Sequence, residues 1–275
     1  MPVPKIKNIV IAVLLAANLF FLAIVVADAV AARQTEKETM DNLASLCERS
    51  GVSLRIEEIS SDAEAVTYAA RRSVDAEKKM AERLLGNTES SESGGNVYSY
   101  TGERGTAVFR TGGEFSAVID RGELRADGDI SKFAEKLLQE AGVAAETLDV
   151  SAVTGGTAVL AVCTLERVKI WNCTVRMELD GDSCVREMEG RVFCAESVRA
   201  TETNITSVPT ALVAFISAVR AGEASCTEIR GAELGYVMSS TPFGDTGLSP
   251  AWRINSDSGD WYIDAGTGEL LSGAF

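Results

Sequence analysis

Apolar positions along the chain fall into three patterns. From Ile9 to Ala27 every residue is apolar except Asn18. Beyond Asp28 some stretches repeat apolar residues at helical spacing, and others alternate apolar with polar. The first pattern predicts a transmembrane helix, placed at residues 8–28. Its helical core of about 19 residues rises roughly 29 Å, close to the hydrocarbon thickness of a bilayer. The leader, residues 1–7, carries Lys5 and Lys7 and no acid. The positive-inside rule then puts the N-terminus in the cytoplasm and the rest outside, as a single-pass plasma-membrane protein. A cleaved signal peptide is the rival reading, because Ala27-Asp28-Ala29 and Ala29-Val30-Ala31 are small-x-small triplets. The apolar run is longer than an ordinary h-region, which favours the anchor. Asn18 offers an interhelical hydrogen bond to a partner helix and is a candidate contact residue.

Residues 29–60 read as a stalk helix and linker. Val30, Met40, Leu43 and Leu46/Cys47 form the stripe, Gly51 stops it, and Val52 to Ile59 has strand alternation. A membrane-proximal α+β domain, residues 61–145, follows. Its first helix is marked by Val74, Met80/Ala81 and Leu84/Leu85 and ends at Gly86. The polar stretch Asn87–Gly95 reads as a loop, followed by strands at Asn96–Tyr100, Thr106–Arg110 and Glu114–Asp120. Asp129 is placed to cap a helix whose inner face is Ile130, Phe133, Leu137 and Leu138.

A second α+β domain is expected over residues 146–275. Thr157–Leu165, Trp171–Leu179, Ser183–Met188 and Arg191–Ser197 read as a meander, with turns at Asp180-Gly181-Asp182 and Glu189-Gly190. Ser207 and Pro209 open a helix that ends at Gly222. A strand at Glu228–Met238, a loop to Gly247 and a hairpin of Trp252–Asn255 with Trp261–Ala265 complete the chain. A helix of about a dozen residues followed by antiparallel strands thus recurs from Val74, Asp129 and Ser207. The expected class is α+β: helix-plus-antiparallel-sheet modules behind one membrane helix.

Composition narrows the chemistry. The 275 residues hold 26 Lys plus Arg, 40 Asp plus Glu and no histidine, for a formal net charge of −14. Ser-His-Asp and Cys-His catalysis, and zinc sites with a His ligand, are thereby excluded. The acidic balance argues against nucleic acid as a partner. Six cysteines contain no C-x-x-C pair, so zinc ribbons and thioredoxin-type redox chemistry are not expected. With Glu189-Gly190 as a two-residue turn, Cys184 and Cys194 fall one register off opposite, and a disulfide there would need a bulge. Asp257, Asp260, Asp264 and Glu269 crowd the last hairpin, but their spacing is not that of an EF-hand, and solvated turn caps are the expectation. No Walker loop, S-x-x-K or dinucleotide fingerprint occurs. No catalytic residue, cofactor, metal or small-molecule substrate is therefore expected.

The carboxyl third carries a more specific pattern. Leu234-Gly235-Tyr236 leads to Leu248-Ser249-Pro250-Ala251-Trp252-Arg253-Ile254, and the chain closes through Trp261-Tyr262-Ile263-Asp264-Ala265-Gly266-Thr267-Gly268-Glu269. This order resembles the YycH/YycI-like regulatory proteins of Gram-positive bacteria, and the terminal hairpin is also similar to PepSY-type modules. The resemblance covers about residues 170–275. It implies a membrane-anchored, non-catalytic accessory regulator of a sensor histidine kinase in two-component control of cell-wall homeostasis, working through transmembrane and extracytoplasmic contacts. The implied partners are the membrane, that kinase and a related accessory protein. The alternative implied by the PepSY likeness is an extracytoplasmic inhibitor or chaperone of a protease or cell-wall hydrolase. Trp252 and Arg253 are the candidate contact residues outside the membrane, with Trp252 and Tyr262 expected to pair across the hairpin.

Overall fold

The computed structural model describes residues 41–60, 66–120, 123–240 and 245–271. The chain divides into two compact units, Met1–Leu54 and Arg55–Phe275. In the first, residues 41–49 are helical (α1), with Leu43 and Cys47 buried one turn apart. The backbone N–H groups of Ser50 and Val52 both return to the carbonyl of Cys47, at 2.9 Å each, closing that helix. The expected leader, the span at 8–28 with Asn18, and the stalk up to residue 40 lie outside the described residues. Among the described residues no helix is long and apolar enough to cross a membrane.

Strand β1 (Ser53–Ser60) crosses the division, and the second unit continues with β2 (Val66–Arg72) and α2 (Val74–Leu85). Four strands follow: β3 (Thr88–Ser93), β4 (Val97–Gly102), β5 (Gly105–Phe109) and β6 (Glu114–Ile119). Helix α3 (Ile130–Glu140) leads into β7 (Ala145–Val153), β8 (Gly156–Leu165), β9 (Val168–Asp180), β10 (Val185–Arg191) and β11 (Ala195–Glu202). Helix α4 (Val208–Ala221) precedes β12 (Glu228–Ser240), β13 (Asp245–Ser256) and β14 (Gly259–Asp264).

The helices form where caps and periodicity place them. Asp129 accepts from the amides of Ser131 and Lys132 at 2.9 and 3.2 Å, and buried Ser73 accepts from Ala76 at 3.1 Å. Pro209 sits in the first turn of α4, and Gly222 ends that helix in the left-handed conformation. The recurrence of helix and strands starting at Val74, Asp129 and Ser207 is present: α2 leads to β3–β6, α3 to β7–β11 and α4 to β12–β14.

The expected fold class does not hold. Helix-plus-antiparallel-sheet modules are replaced by one large mixed sheet, ordered β11-β2-β13-β12-β9-β10-β6-β5-β4-β3, with β14 on β13 and β8 then β7 on β9. Strands from distant parts of the chain complete each other's ladders. β6 pairs with β10 from Phe115↔Gly190 to Val118↔Glu187. β2 pairs with β11 on one side and with the start of β13 on the other. A parallel bridge, Tyr236↔Ile170, joins β12 to β9. The physical reason is edge satisfaction: each short sheet implied by the local patterns would expose unpaired backbone groups, and mutual pairing removes them.

The main core lies between this sheet and two helices. α2 contributes Met80, Ala81, Leu84 and Leu85, and α3 contributes Ala134, Leu137 and Leu138, against Phe109, Phe115, Met177 and Met188. Each of the buried Met, Leu and Phe side chains contributes about 1.5–3 kcal/mol of transfer free energy. Residues Thr88–Ser93, expected as part of a loop, form edge strand β3, and Asp245 starts β13 inside the other expected loop. Glu189-Gly190 is not a turn: β10 runs through it, with Gly190 opposite both Phe115 and Val175.

No cysteine is bridged. Cys173 Sγ lies 3.6 Å from Met238 Sδ, and Cys163 donates to the carbonyl of Arg191 at 3.7 Å. Burial pushes the thiols of Cys173 and Cys194 up to about 12, the state of inert core thiols rather than reactive ones. Thiol titration of the denatured, unreduced protein is accordingly expected to find all 6 cysteines free. A Tm that drops on adding reductant would refute this.

Candidate functional site: an aromatic and charged platform on the carboxyl sheet

The two faces of β12, β13 and β14 differ because successive strand residues point to opposite sides. One face carries Trp252, Ile254 and Ile263, each no more than 1% exposed, and packs under α4 with Phe215. Trp252 Nε1 donates to the carbonyl of Thr206 at 2.9 Å. Trp252 is thus a core residue, and its expected role as a surface contact is corrected. The expected Trp252–Tyr262 pair is also absent: Trp252 lies opposite Ile263 and Tyr262 opposite Arg253, so the two rings are on opposite faces. Trp252→Phe is expected to lower stability by about 1–2 kcal/mol, through the lost hydrogen bond and ring volume. A chemical melt showing less than half that loss would contradict this assignment.

Arg253 lies on the opposite face. Glu233, Arg253 and Tyr262 are directly cross-strand on three successive strands. The parallel bridge between β9 and β12 sets Trp171 beside Gly235. A Cβ on Gly235 would lie 2.5 Å from the indole Cε2 and Nε1 of Trp171, so the indole rests on bare backbone. Above it stand the Arg253 guanidinium at 5.0 Å and the Lys169 ammonium at 5.8 Å from the ring centroid. The Tyr262 ring centre is 6.3 Å away, tilted by 45°. Each cation over the indole contributes about 0.5–1 kcal/mol when half-exposed.

Carboxylates fix both cations. Lys169 Nζ donates to Glu233 at 3.1 Å and lies 3.9 Å from Glu146. Arg253 donates from Nε to Asp260 at 2.9 Å and approaches Glu233 at 3.5 Å through Nη1. Asn255 donates to the other oxygen of Asp260 at 2.8 Å. Burial pushes the Tyr262 phenol up, Asp260 adds to the rise and Arg253 opposes it. The phenol therefore stays protonated at neutral pH. Among the described residues no hydrogen bond reaches Trp171 Nε1.

This arrangement presents one Tyr and one Arg in fixed geometry over a Trp171 ring that is itself buried, 5% exposed. Those are the residue types that dominate protein contact energy, because they offer large area at small entropic cost. Sequence reasoning found Arg253 and missed Lys169, Trp171, Glu233 and Tyr262 as its companions. The available signal was parity: residues 253, 255, 260 and 262 share one face of the last hairpin once its register is known.

The other acids of the last hairpin act as turn caps. Asp257 accepts from the Thr227 hydroxyl at 2.5 Å and from the amides of Glu228 and Thr227 at 3.0 and 2.9 Å, bonds that hold its carboxyl well below the ordinary range. Asp264 accepts from Gly266 and Thr267 at 2.8 and 2.7 Å. Asp180 does the same for Asp182 and Cys184 at 2.9 and 3.0 Å. A separate groove of about 510 Å³ lies beside α3, lined by Arg83, Arg104, Arg125 and Lys132 with Glu123 and Glu140. Two of its arginines are already paired, Arg83 with Glu140 and Arg104 with Glu123.

No protein-family model matches the chain, and no curated protein matches it. Among solved structures, an uncharacterised protein from Eubacterium rectale is 11% identical, with a TM-score of 0.49 over 81% of this chain and 90% of its own. The C-terminal domain of Bacillus megaterium YpeB is 13% identical, with a TM-score of 0.40 over 74% of this chain and 97% of its own.

Proposed function

We propose that the chain is a non-catalytic regulator that works by binding another protein outside the plasma membrane, in the manner of the YycH/YycI-like proteins its carboxyl residues resemble. The partner in this reading is a sensor histidine kinase, with a related accessory protein beside it. The observation that supports it best is the platform: half-buried Arg253 and Tyr262 lie over the buried indole of Trp171 on the sheet face opposite α4, with Arg253 held by Glu233 and Asp260. A surface of this kind needs little ordering when a partner arrives, so its contact energy is not spent on immobilising side chains. The apolar run from Ile9 to Ala27 is the reason for placing the protein at the membrane.

The test is affinity capture of the full-length protein from its native membranes. Wild type is expected to recover a sensor kinase. Arg253→Glu, which reverses the charge above Trp171, is expected to reduce that recovery roughly tenfold or more in a protein that still folds, its melt lowered only by the lost pairs with Asp260 and Glu233. Recovery of no kinase by the wild type, together with unaltered kinase output in a deletion strain, would refute the reading. Recovery of a protease or wall hydrolase, slowed by the purified protein, would replace it with the PepSY-like inhibitor reading.

A further inference from the structure

A second surface runs along β7, which joins the platform strand β9 through β8. Among the described residues β7 pairs with β8 alone, so it forms an edge. Its beginning is closed by α3: the amide of Thr147 donates to Glu135 at 2.9 Å, and the Thr147 hydroxyl donates to the carbonyl of Ser131 at 3.3 Å. The register then shifts between Thr147 and Asp149, placing Leu148 as the extra residue of a bulge. From Leu148 to Ala152 every residue is exposed, and among the described residues no hydrogen bond outside the β7–β8 ladder reaches this stretch.

The apolar content of this edge is unusual. Leu148 and Val150 are 45% and 42% exposed, and Leu160, on the neighbouring strand opposite Asp149, is 37% exposed. Open edges are ordinarily blunted by lysine, proline or uniformly polar sequence. The opposite edge of the sheet, β3, follows that rule with the sequence Thr-Glu-Ser-Ser-Glu-Ser. β7 has no lysine and no proline, and its charged residues are Glu146 and Asp149.

We infer that the β7 edge from Leu148 to Val153 receives an extended segment of a partner protein by strand addition, and that this segment alternates apolar residues with Lys or Arg. Main-chain hydrogen bonds along the open edge supply the affinity of such a mode, and side-chain pockets supply its selectivity. Leu148 and Val150 offer apolar contact, and Asp149, on the other face with Leu160, favours cations; Glu146, before the stretch, already lies 3.9 Å from Lys169. Charge decides against a second copy of this chain, since each copy brings the same two acids on the strand and a net charge of −14.

The test uses the full-length protein in detergent and end-blocked nine-residue peptides of alternating Val and Lys. Binding by fluorescence anisotropy and amide exchange at residues 148–153 are the readouts. The Val/Lys peptide is expected to bind and to slow exchange at this stretch. Replacing Lys by Glu, or N-methylating every second residue, is expected to weaken binding roughly tenfold or more. Val150→Lys, a solvent-facing change, is expected to abolish the protection without lowering Tm, and Arg253→Glu is expected to leave it intact. Equal binding of the Lys and Glu peptides, exchange unaltered at 148–153, or a dimer dispersed by Val150→Lys would each overturn the inference.

Discussion

Arg72→Met is expected to destabilise the protein by about 3–5 kcal/mol at neutral pH, the range for stripping one partner from a buried ion pair. Glu77, in the first turn of α2, is 1% exposed at its side chain, and Arg72, the last residue of β2, is 10% exposed. The pair is bidentate: Arg72 Nε and Nη2 donate to the two Glu77 oxygens at 2.6 and 2.9 Å. The remaining donor, Nη1, reaches the carbonyl of Asn96 at 2.6 Å, and the guanidinium lies 5.3 Å from the Tyr98 ring centre. Removing the guanidinium leaves a carboxylate in the interior with no counter-charge.

The pH dependence of that loss has a definite sign. Burial pushes the Glu77 carboxyl above its ordinary value of 4.5, and Arg72 pulls it back. A carboxyl raised in the folded state holds its proton longer there than in the unfolded chain, so stability falls as pH rises through the folded value. Without Arg72 the folded value climbs further, and the variant's deficit grows from about pH 4.5 toward neutrality. Urea melts of Arg72→Met should therefore approach wild type in acid and diverge at pH 7. The double variant Arg72→Met/Glu77→Gln should recover much of the neutral-pH loss. A deficit independent of pH would exclude this account.

Gly190→Ala is expected to cost about 3 kcal/mol or more, large enough to prevent folding of a marginal domain. Two terms act together. The residue has φ of +146°, where L side chains are strained, and a Cβ there would lie 2.0 Å from the carbonyl oxygen of Thr174. That oxygen belongs to β9, which is hydrogen-bonded to β10 and cannot retreat without breaking the ladder. Gly155 is the control. Its φ is +87°, but nothing lies within 4 Å of an added Cβ, so Gly155→Ala carries only the backbone term, about 1 kcal/mol. Equal melts for the two variants would show that the close approach of β9 is not the cause.

These two positions show where sequence reading stops. Gly190 follows an acid and precedes a strand-like run, which is the local grammar of a turn. Only its simultaneous pairing with Phe115 and Val175 reveals a mid-strand position. Arg72 and Glu77 look like ordinary surface charges, since neither belongs to an apolar pattern. Their burial follows from the packing of α2 against a sheet whose strands come from elsewhere in the chain. β3 and β7 were hidden for a related reason: exposed edge strands need no apolar face, so their alternation signal is weak.

The sequence by itself determined what is encoded within a dozen residues. Apolar spacing and caps specified α2, α3 and α4. The aspartate-glycine turn after β9 and the final hairpin were legible in the same way. The tertiary structure alone decided the merging of strands into one mixed sheet, the burial of Trp252, and the gathering of Lys169, Trp171, Glu233, Arg253 and Tyr262 from four strands. The physical reason is register. Which face a strand residue occupies, and which neighbour it meets, depends on a partner strand that is distant in sequence, and a shift of one residue exchanges the two faces.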